Sequence, residues 1–478
     1  MSRTTTRRRH LRAAAVAATS VLLLSGCASG TAADGKTVIT LAGPNQWNSN
    51  TTSFGPAWEE LVAAFEKAEP DIEVQTTVLP IGSAYDTLST QLAAGTAPAL
   101  VFNQASYTPE QIVPLDPYLA EPNPYVEGNE RWLDLFNPDS YGDAQRNGNG
   151  ELEFIPLNLV LPGLFFNEDA FAEAGVSAPI ESVGDLLDAC AALSEAGYTP
   201  LAMDSNQLGS SWTSTTLLSM LMNPLAEEIN VYAVDGTEGT APVVTPKSMT
   251  RAIMTGQIDM TETPAVAEGA ELLKSIFDEC ATPNWSGVAA SSSFIGGEEF
   301  LAGDAAMAWG TTFAIGNLDD VDWAWSSMPF PTVTRGDTPL SDGTPARFGA
   351  VAGGTSYMIP ATTSGDELEA AVKFLQFATS IDGGGPWVQA TGAIPSIQGV
   401  EAEPTVLDLA VGEWAQPRVF EAGMLGSAEY ANTNIWEGYL LGTKTLDEQL
   451  EFLQGIAVTG AHEAITYFDW SEESWATE

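Results

Sequence analysis

Side chains able to do chemistry are few in this chain and unevenly placed. Histidine occurs twice, as His10 and His462. His10 stands in an arginine-rich leader, which leaves one imidazole for the rest of the protein. A Ser-His-Asp triad or a His-rich zinc site has little to draw on, and His462 falls in a late helical pattern that places it on the surface. No metal centre, resident cofactor or catalytic group is expected. The run Asp382-Gly383-Gly384-Gly385-Pro386 is glycine-rich but lacks a following Gly-Lys-Ser/Thr, so it reads as a turn rather than a phosphate cradle. Carboxylates are abundant, with 63 Asp and Glu in the chain. A glycosidase needs two of them about 5–10 Å apart, and counting cannot exclude such a pair.

Three cysteines remain to be explained. Cys27 closes the stretch VLLLSGC after a head of five arginines (Arg3, Arg7, Arg8, Arg9, Arg12) and a short apolar run. That arrangement reads as an export signal over residues 1–26, too short to span a bilayer. Leu24-Ser25-Gly26-Cys27 resembles a lipobox, which implies lipidation of Cys27 and a flexible tether over 27–35. A second acyl group is implied, because one chain holds only marginally. Thr6–Arg12 also resembles a twin-arginine motif, with His10 at a position where an aromatic or aliphatic residue is usual. Cys190 and Cys280 each share the apolar face of a helix, with Val183, Leu186 and Leu187 in one case and with Val266, Ala270, Leu273 and Phe277 in the other. Outside the cell two such thiols can pair or persist as buried free cysteines.

Composition narrows the classes further. The formal charge is −46 over 478 residues, and loss of residues 1–26 with their five arginines takes it to −51. Nucleic-acid binding requires a basic surface and is disfavoured. Hydrophobic residues make up 44% of the chain, enough for a substantial core, so the acidity describes a self-repelling surface rather than a disordered tail. Gly296-Gly297-Glu298-Glu299-Phe300 is spelled as in enzymes that make cyclic dinucleotides, but that chemistry needs metal-bound GTP in the cytosol.

The elements that would position a site follow from periodicity. Residues 37–42 read as a buried strand. Trp58, Leu61, Val62 and Phe65 mark an amphipathic helix stopped by Pro70. Ile72, Val74, Thr76 and Val78 alternate as a strand. A helix over 84–94 and a strand over 99–102 complete a β-α-β-α-β series, which implies a parallel α/β sheet. A turn at 147–150 precedes a long extended stretch. Helices dominate 168–301, followed by the strand AAMAWG. MPFP at 328–331 is an extended crossing. A strand over 355–359 leads to a helix whose capping box would be Ser364 with Glu367. Thr445 and Glu448 repeat that pair near the C-terminus.

Taken in order, WEELVAAFEKAEPDIEV, YDTLSTQLAAGTAPALVF, the long run from PLNLVLPGLFFN to SEAGYTPL, EEFLAGDAAMAWGTTFAI and AAVKFLQFATS with ATGAIPS resemble the maltose-binding-protein-like extracellular solute-binding proteins of ABC importers. The matching segments span nearly the whole mature chain. The resemblance implies a two-lobed periplasmic-binding-protein-like α/β fold with discontinuous lobes and a hinge of crossing strands. Lobe 1 would comprise 36–159 plus 332–402, and lobe 2 would comprise 160–331 plus 403–478. It further implies a monomeric receptor, tethered to the membrane through its lipid alone, that captures a sugar or oligosaccharide in the interlobe cleft. That receptor would hand its ligand to a permease driven by a cytosolic ATPase. An exported glycosidase, or a receptor for a peptide or other polar solute, remains the alternative.

A sugar presents hydroxyls and apolar ring faces, so its site wants flat aromatics beside Asn, Gln or Asp. Asn45, Gln46 and Trp47 follow the first strand at its C-terminal end, where α/β proteins bind ligands. Asn103, Gln104 and Tyr107 follow the third strand by the same logic. Asp204, Asn206 and Trp212 open a second-lobe helix, and the resemblance implies a stacking aromatic there. It also implies one at the Gly-x-Trp segment, where Thr312 now occupies the tryptophan position and Trp309 or Phe313 would substitute. Trp436 aligns with another stacking position, and Tyr357 would reach the ligand from the segment after Gly353-Gly354. A crossover glutamate of one family member falls at Val160, so that contact is missing.

Overall fold

The computed structural model describes residues 35–45, 52–104, 107–138, 141–147, 149–290, 294–318, 321–349, 354–402, 404–410, 412–430 and 433–476. Cys27, Gln46 and Trp47 lie outside these residues. Two separate sheets carry the fold. The first opens with β1 (Thr37–Pro44), α1 (Pro56–Ala68), β2 (Ile72–Leu79), α2 (Ile81–Ala94) and β3 (Leu100–Phe102). β1 pairs in parallel with β2 from Thr37–Ile72 to Pro44–Leu79, and with β3 on its other side. Left-handed Gly95 ends α2 where the sequence predicts it, and a proline, which the sequence reading did not use, opens α1.

The long extended stretch is cut into three pieces: β4 (Ile155–Pro156), β5 (Asn158–Leu159) and β6 (Pro162–Asn167). β6 enters the second sheet with β7 (Thr199–Ala202), β8 (Ala305–Thr311) and β9 (Trp325–Met328), in the order β7-β8-β6-β9. β10 (Ser356–Met358) then returns to the first sheet, antiparallel between β3 and β4, giving the order β2-β1-β3-β10-β4. β11 (Ile394–Pro395) pairs with β5 in a two-stranded ribbon beside the crossing. Each sheet therefore draws on distant parts of the chain, as a fold with discontinuous lobes must.

The first lobe's core is aromatic. Trp58 of α1 meets Phe54, Tyr357, Phe374 and Trp387 at ring distances of 5.3–6.3 Å. The second lobe is built around α3 (Val183–Ala196), α4 (Gln207–Met222) and α5 (Pro264–Cys280). Cys190 of α3 and Cys280 of α5 are both fully buried and are joined as a disulfide, with Cα atoms 5.2 Å apart.

Three local readings are corrected. The helix α6 (Asp366–Ala378) is capped by left-handed Gly365 with no side-chain cap, so the Ser364–Glu367 box does not form. The glycine-rich run at 382–386 is not a turn but the front of helix α7 (Ile381–Ala390), capped by Ser380. Its glycines serve packing: a Cβ on Gly384 would lie 1.8 Å from the Ala378 carbonyl oxygen. Thr445 does cap α8 (Leu446–Tyr467) with a reciprocal Glu448 box, and His462 is exposed on that helix.

The GGEEF run has a structural explanation. Gly296 has φ of +70°, and a Cβ there would meet the Ala202 and Met203 backbone at 2.6 Å. Its N–H donates to Asp204 Oδ2 at 3.0 Å. Glu299 accepts hydroxyl bonds from Thr199 and Thr282. The segment thus ties a short helix, Gly297–Leu301, to the end of β7.

Candidate functional site: the interlobe cleft

Asn45 and Asn103 follow β1 and β3, two parallel strands that pair side by side in the first sheet. Asn45 directly follows β1 and donates its side-chain amide to the Ser53 carbonyl at 3.0 Å. Asn103 follows β3, and its backbone N–H donates to the Ser356 carbonyl at 3.1 Å, which joins this loop to β10. Gln104 is exposed and Tyr107 half-buried. Tyr357 differs: it reaches no solvent and packs its ring against Trp58 and Phe102 in the core.

In the second lobe the candidates gather on α4. Asn206 caps the helix by accepting from the Leu208 N–H at 3.0 Å. Asp204 is 1% exposed, and its two oxygens accept from Asn206 N–H and Gly296 N–H, so it fixes the loop at the end of β7. Trp212 is half-buried and stands edge-on to Trp309 at 5.7 Å and to Phe348 at 6.5 Å. Trp309 is completely buried, lies parallel to Phe330 at 5.3 Å, and donates its indole N–H to the Thr213 hydroxyl at 3.0 Å. Trp309 therefore backs Trp212 from within the lobe. Phe313 is half-buried just past β8. Trp436 is 2% exposed; its loop is pinned to α4 where the Ser210 hydroxyl donates to Asn434 Oδ1 at 3.0 Å.

The two lobes also touch at a rim beside Tyr107. A Cβ on Gly150, which has φ of +77°, would lie 3.1 Å from Asp235 Cα. A cavity of about 40 Å³ in this seam is lined by Asp143, Arg146 and Asn147 on one side and by Ala233, Gly236 and Lys247 on the other. Next to it Tyr107 donates its hydroxyl to Glu153 at 3.0 Å. Glu153 is 5% exposed. Burial raises its pKa above the usual carboxylate value of 4.5, and Glu151 adds to the rise; hydrogen bonds from Tyr107 and Asn147 oppose it. Burial, Glu153 and Tyr467 of α8 likewise hold the Tyr107 hydroxyl protonated. The sequence reading missed Glu153 because its partners come from remote loops.

Glu153 yields a pH prediction. A carboxyl whose folded pKa is raised supports the fold fully below its unfolded value and withdraws that support as pH rises through the folded value. Glu153→Gln is therefore expected to unfold at a higher urea midpoint than the parent at pH 7, with the two converging as pH falls toward 4.5. Equal midpoints at both pH values would remove the strain assigned to this carboxylate.

Larger grooves lie elsewhere. One of about 680 Å³, lined by Phe166, Phe171, Val176, Met328 and Asp408, includes none of the strand-end residues. Another of about 570 Å³ runs beside the crossing ribbon, past Leu159, Ile394 and Leu407. Among the described residues no cluster of His, Cys, Asp and Glu could hold a metal ion, and no helix is long and apolar enough to cross a membrane.

Two sheets of this topology, joined by extended segments of the chain that pass from one to the other, define a two-lobed α/β fold of the periplasmic-binding type. Residues 48–385 match the family model for the bacterial extracellular solute-binding protein, and the chain belongs to that family. It is similar to the sn-glycerol-3-phosphate-binding periplasmic protein UgpB of Shigella dysenteriae serotype 1, with 23% identity over 73% of each chain. Among solved structures it resembles a chitin oligosaccharide binding protein, with TM-score 0.63 and 19% identity, covering 89% of this chain and 99% of that one. It also resembles the GacH receptor of Streptomyces glaucescens, studied with acarbose, with TM-score 0.57 and 16% identity over 87% and 96% of the two chains.

Proposed function

We propose that this protein is the capture component of an ABC importer for carbohydrate. It is anchored outside the membrane through lipidated Cys27, closes its lobes on a sugar or oligosaccharide, and delivers it to a permease driven by a cytosolic ATPase. It acts as a monomer and transforms nothing. Lobe 1 is assigned to 36–159 plus 332–402 and lobe 2 to 160–331 plus 403–478. Trp212 supplies a ring face from lobe 2. Asn45, Gln46, Trp47, Asn103, Gln104 and Tyr107 supply polar and aromatic contacts from lobe 1, and Phe313 contributes from the crossing.

The observation that carries this reading is the half-exposed Trp212, held edge-on by buried Trp309 and by Phe348. A rigid aromatic face with uncharged polar neighbours suits a sugar ring better than a peptide or an ion. Sugar binding by the structurally similar chitin oligosaccharide protein supports it. A thermal-shift screen of residues 28–478 against saccharides, peptides and polyamines tests it. A ligand at 100 times its Kd adds about 2.7 kcal/mol of stability. The expected result is a shift with a saccharide and no hydrolysis products. A shift confined to peptides or amines would replace the sugar, and released products would restore the glycosidase.

A further inference from the structure

Among the described residues Arg418 is the one Lys or Arg that is buried, with its side chain 6% exposed. Most of its guanidinium is accounted for. Nε donates to the Arg347 carbonyl at 3.0 Å, Nη1 donates to Glu421, and the flat face lies 4.0 Å over the Phe348 ring. Nη2 is buried and finds no acceptor among the described residues. A guanidinium carries five N–H donors and no acceptor, and a buried donor left without a partner is costly. That corner of Arg418 therefore calls for an acceptor from outside the chain.

Arg418 lines a cavity of about 20 Å³ together with Ser219 of α4, Asn223, Thr344 and Arg347. The volume admits one body about the size of a water molecule and is too small for a phosphate or a sugar ring. The Ser219 hydroxyl accepts from the Ala422 N–H at 3.2 Å, and the Thr344 hydroxyl accepts from the Asn223 amide at 3.2 Å. Neither hydroxyl donates to another group among the described residues, so each has a proton to give. Three segments far apart in sequence thus bring N–H and O–H hydrogens to one small space. A water molecule adds two hydrogens of its own to a wall already rich in donors; a monatomic anion adds none.

We propose that this cavity is a halide site, in which one chloride ion accepts from Arg418 Nη2 and from the Ser219 and Thr344 hydroxyls. The nearby charges suit it. Arg347 and Arg418 both border the cavity, whereas their partners Glu413 and Glu421 are 51% and 30% exposed. Glu421 also accepts the Gly423 N–H at 2.9 Å, and Asp342, bonded to Asn223 at 3.2 Å, is exposed. These carboxylates reach water, which screens their repulsion, while the Arg418 edge does not. The ion ties α4 to the segments around Thr344 and Arg418. It so fixes Phe348, the ring that stands edge-on to Trp212. The site is separate from the cleft, and its occupant does not depend on what the cleft binds.

The test is thermal unfolding of residues 28–478 in sodium gluconate, with chloride, bromide or sulfate exchanged in at constant ionic strength. Chloride and bromide are expected to raise the melting temperature by about 2 °C along a saturating curve, and sulfate to give no saturating rise. Thr344→Val keeps the side-chain shape and loses the hydroxyl. It should raise the half-saturating chloride concentration about fivefold and leave the melting temperature in gluconate near that of the parent. Arg418→Lys should abolish the saturating rise. Crystals grown in sodium bromide read the site directly in the parent, whatever the variants do. An anomalous bromine peak beside Arg418 Nη2 is the expected result. A water molecule at that place in those crystals would overturn the proposal. So would a chloride response shared unchanged by the parent and Thr344→Val, or a saturating response to sulfate that matches the one to chloride.

Discussion

Replacing Cys190 and Cys280 together by alanine is expected to cost the protein about 2–5 kcal/mol of stability, as removal of a native disulfide does. The bond closes a loop of 90 residues between α3 and α5, long enough to restrict the unfolded chain strongly in the loop-entropy account. Both sulfurs are wholly buried, so the double alanine variant also leaves a small apolar void rather than a stranded polar group. Urea unfolding of the parent with and without reductant, beside the double variant, measures the effect. The reduced parent and the variant should agree. Unfolding indifferent to both changes would show that the two thiols do not pair.

Trp309→Ala is expected to lose about 3–5 kcal/mol, the range for truncating a large buried aromatic. The indole is stacked on Phe330, edges Trp212 and holds the Thr213 hydroxyl. Its removal opens a cavity, ends one buried hydrogen bond and takes away the backing of Trp212. Trp309→Phe keeps a ring and loses the N–H, and should cost about 1–2 kcal/mol. The same urea experiment ranks the variants. If Trp309→Ala weakened ligand binding with no change of midpoint, Trp309 would be a surface contact and its burial here would not describe the working state.

The contrast between Trp309 and Trp212 shows where sequence reading stops. Alternation in Ile72–Val78 and the helical spacing of Trp58, Leu61 and Phe65 announced β2 and α1, because one face of each must meet a core. The inward faces of Cys190 and Cys280 were legible for the same reason. Which of two tryptophans in the second lobe stays open was not, since it depends on α4 lying over β8 and on Phe330 arriving from beyond β9. Gly383–Gly385 misled in a similar way: glycines usually break helices, yet here they admit the close approach of the Phe377 and Ala378 carbonyls. Glu153 left no local signal, because its burial is made by Tyr107, the 147–151 loop and α8. Local pattern gave the layers, and the site's fine placement came from contacts between segments hundreds of residues apart.

The insertion of β10 between β3 and β4 sets the order in which this molecule can be made. Tyr357 pairs with Phe102 on one side and Ile155 on the other, so a chain emerging N-terminus first carries an open strand edge at β3 until its last third has appeared. Non-local pairings of this kind fold slowly, and an unpaired edge invites association with other chains. Fragments ending before Ser356 should therefore self-associate rather than yield a soluble half-receptor. During biosynthesis the nascent chain will depend on a holding chaperone, or on its own dense negative charge, to stay apart from its neighbours until that strand arrives.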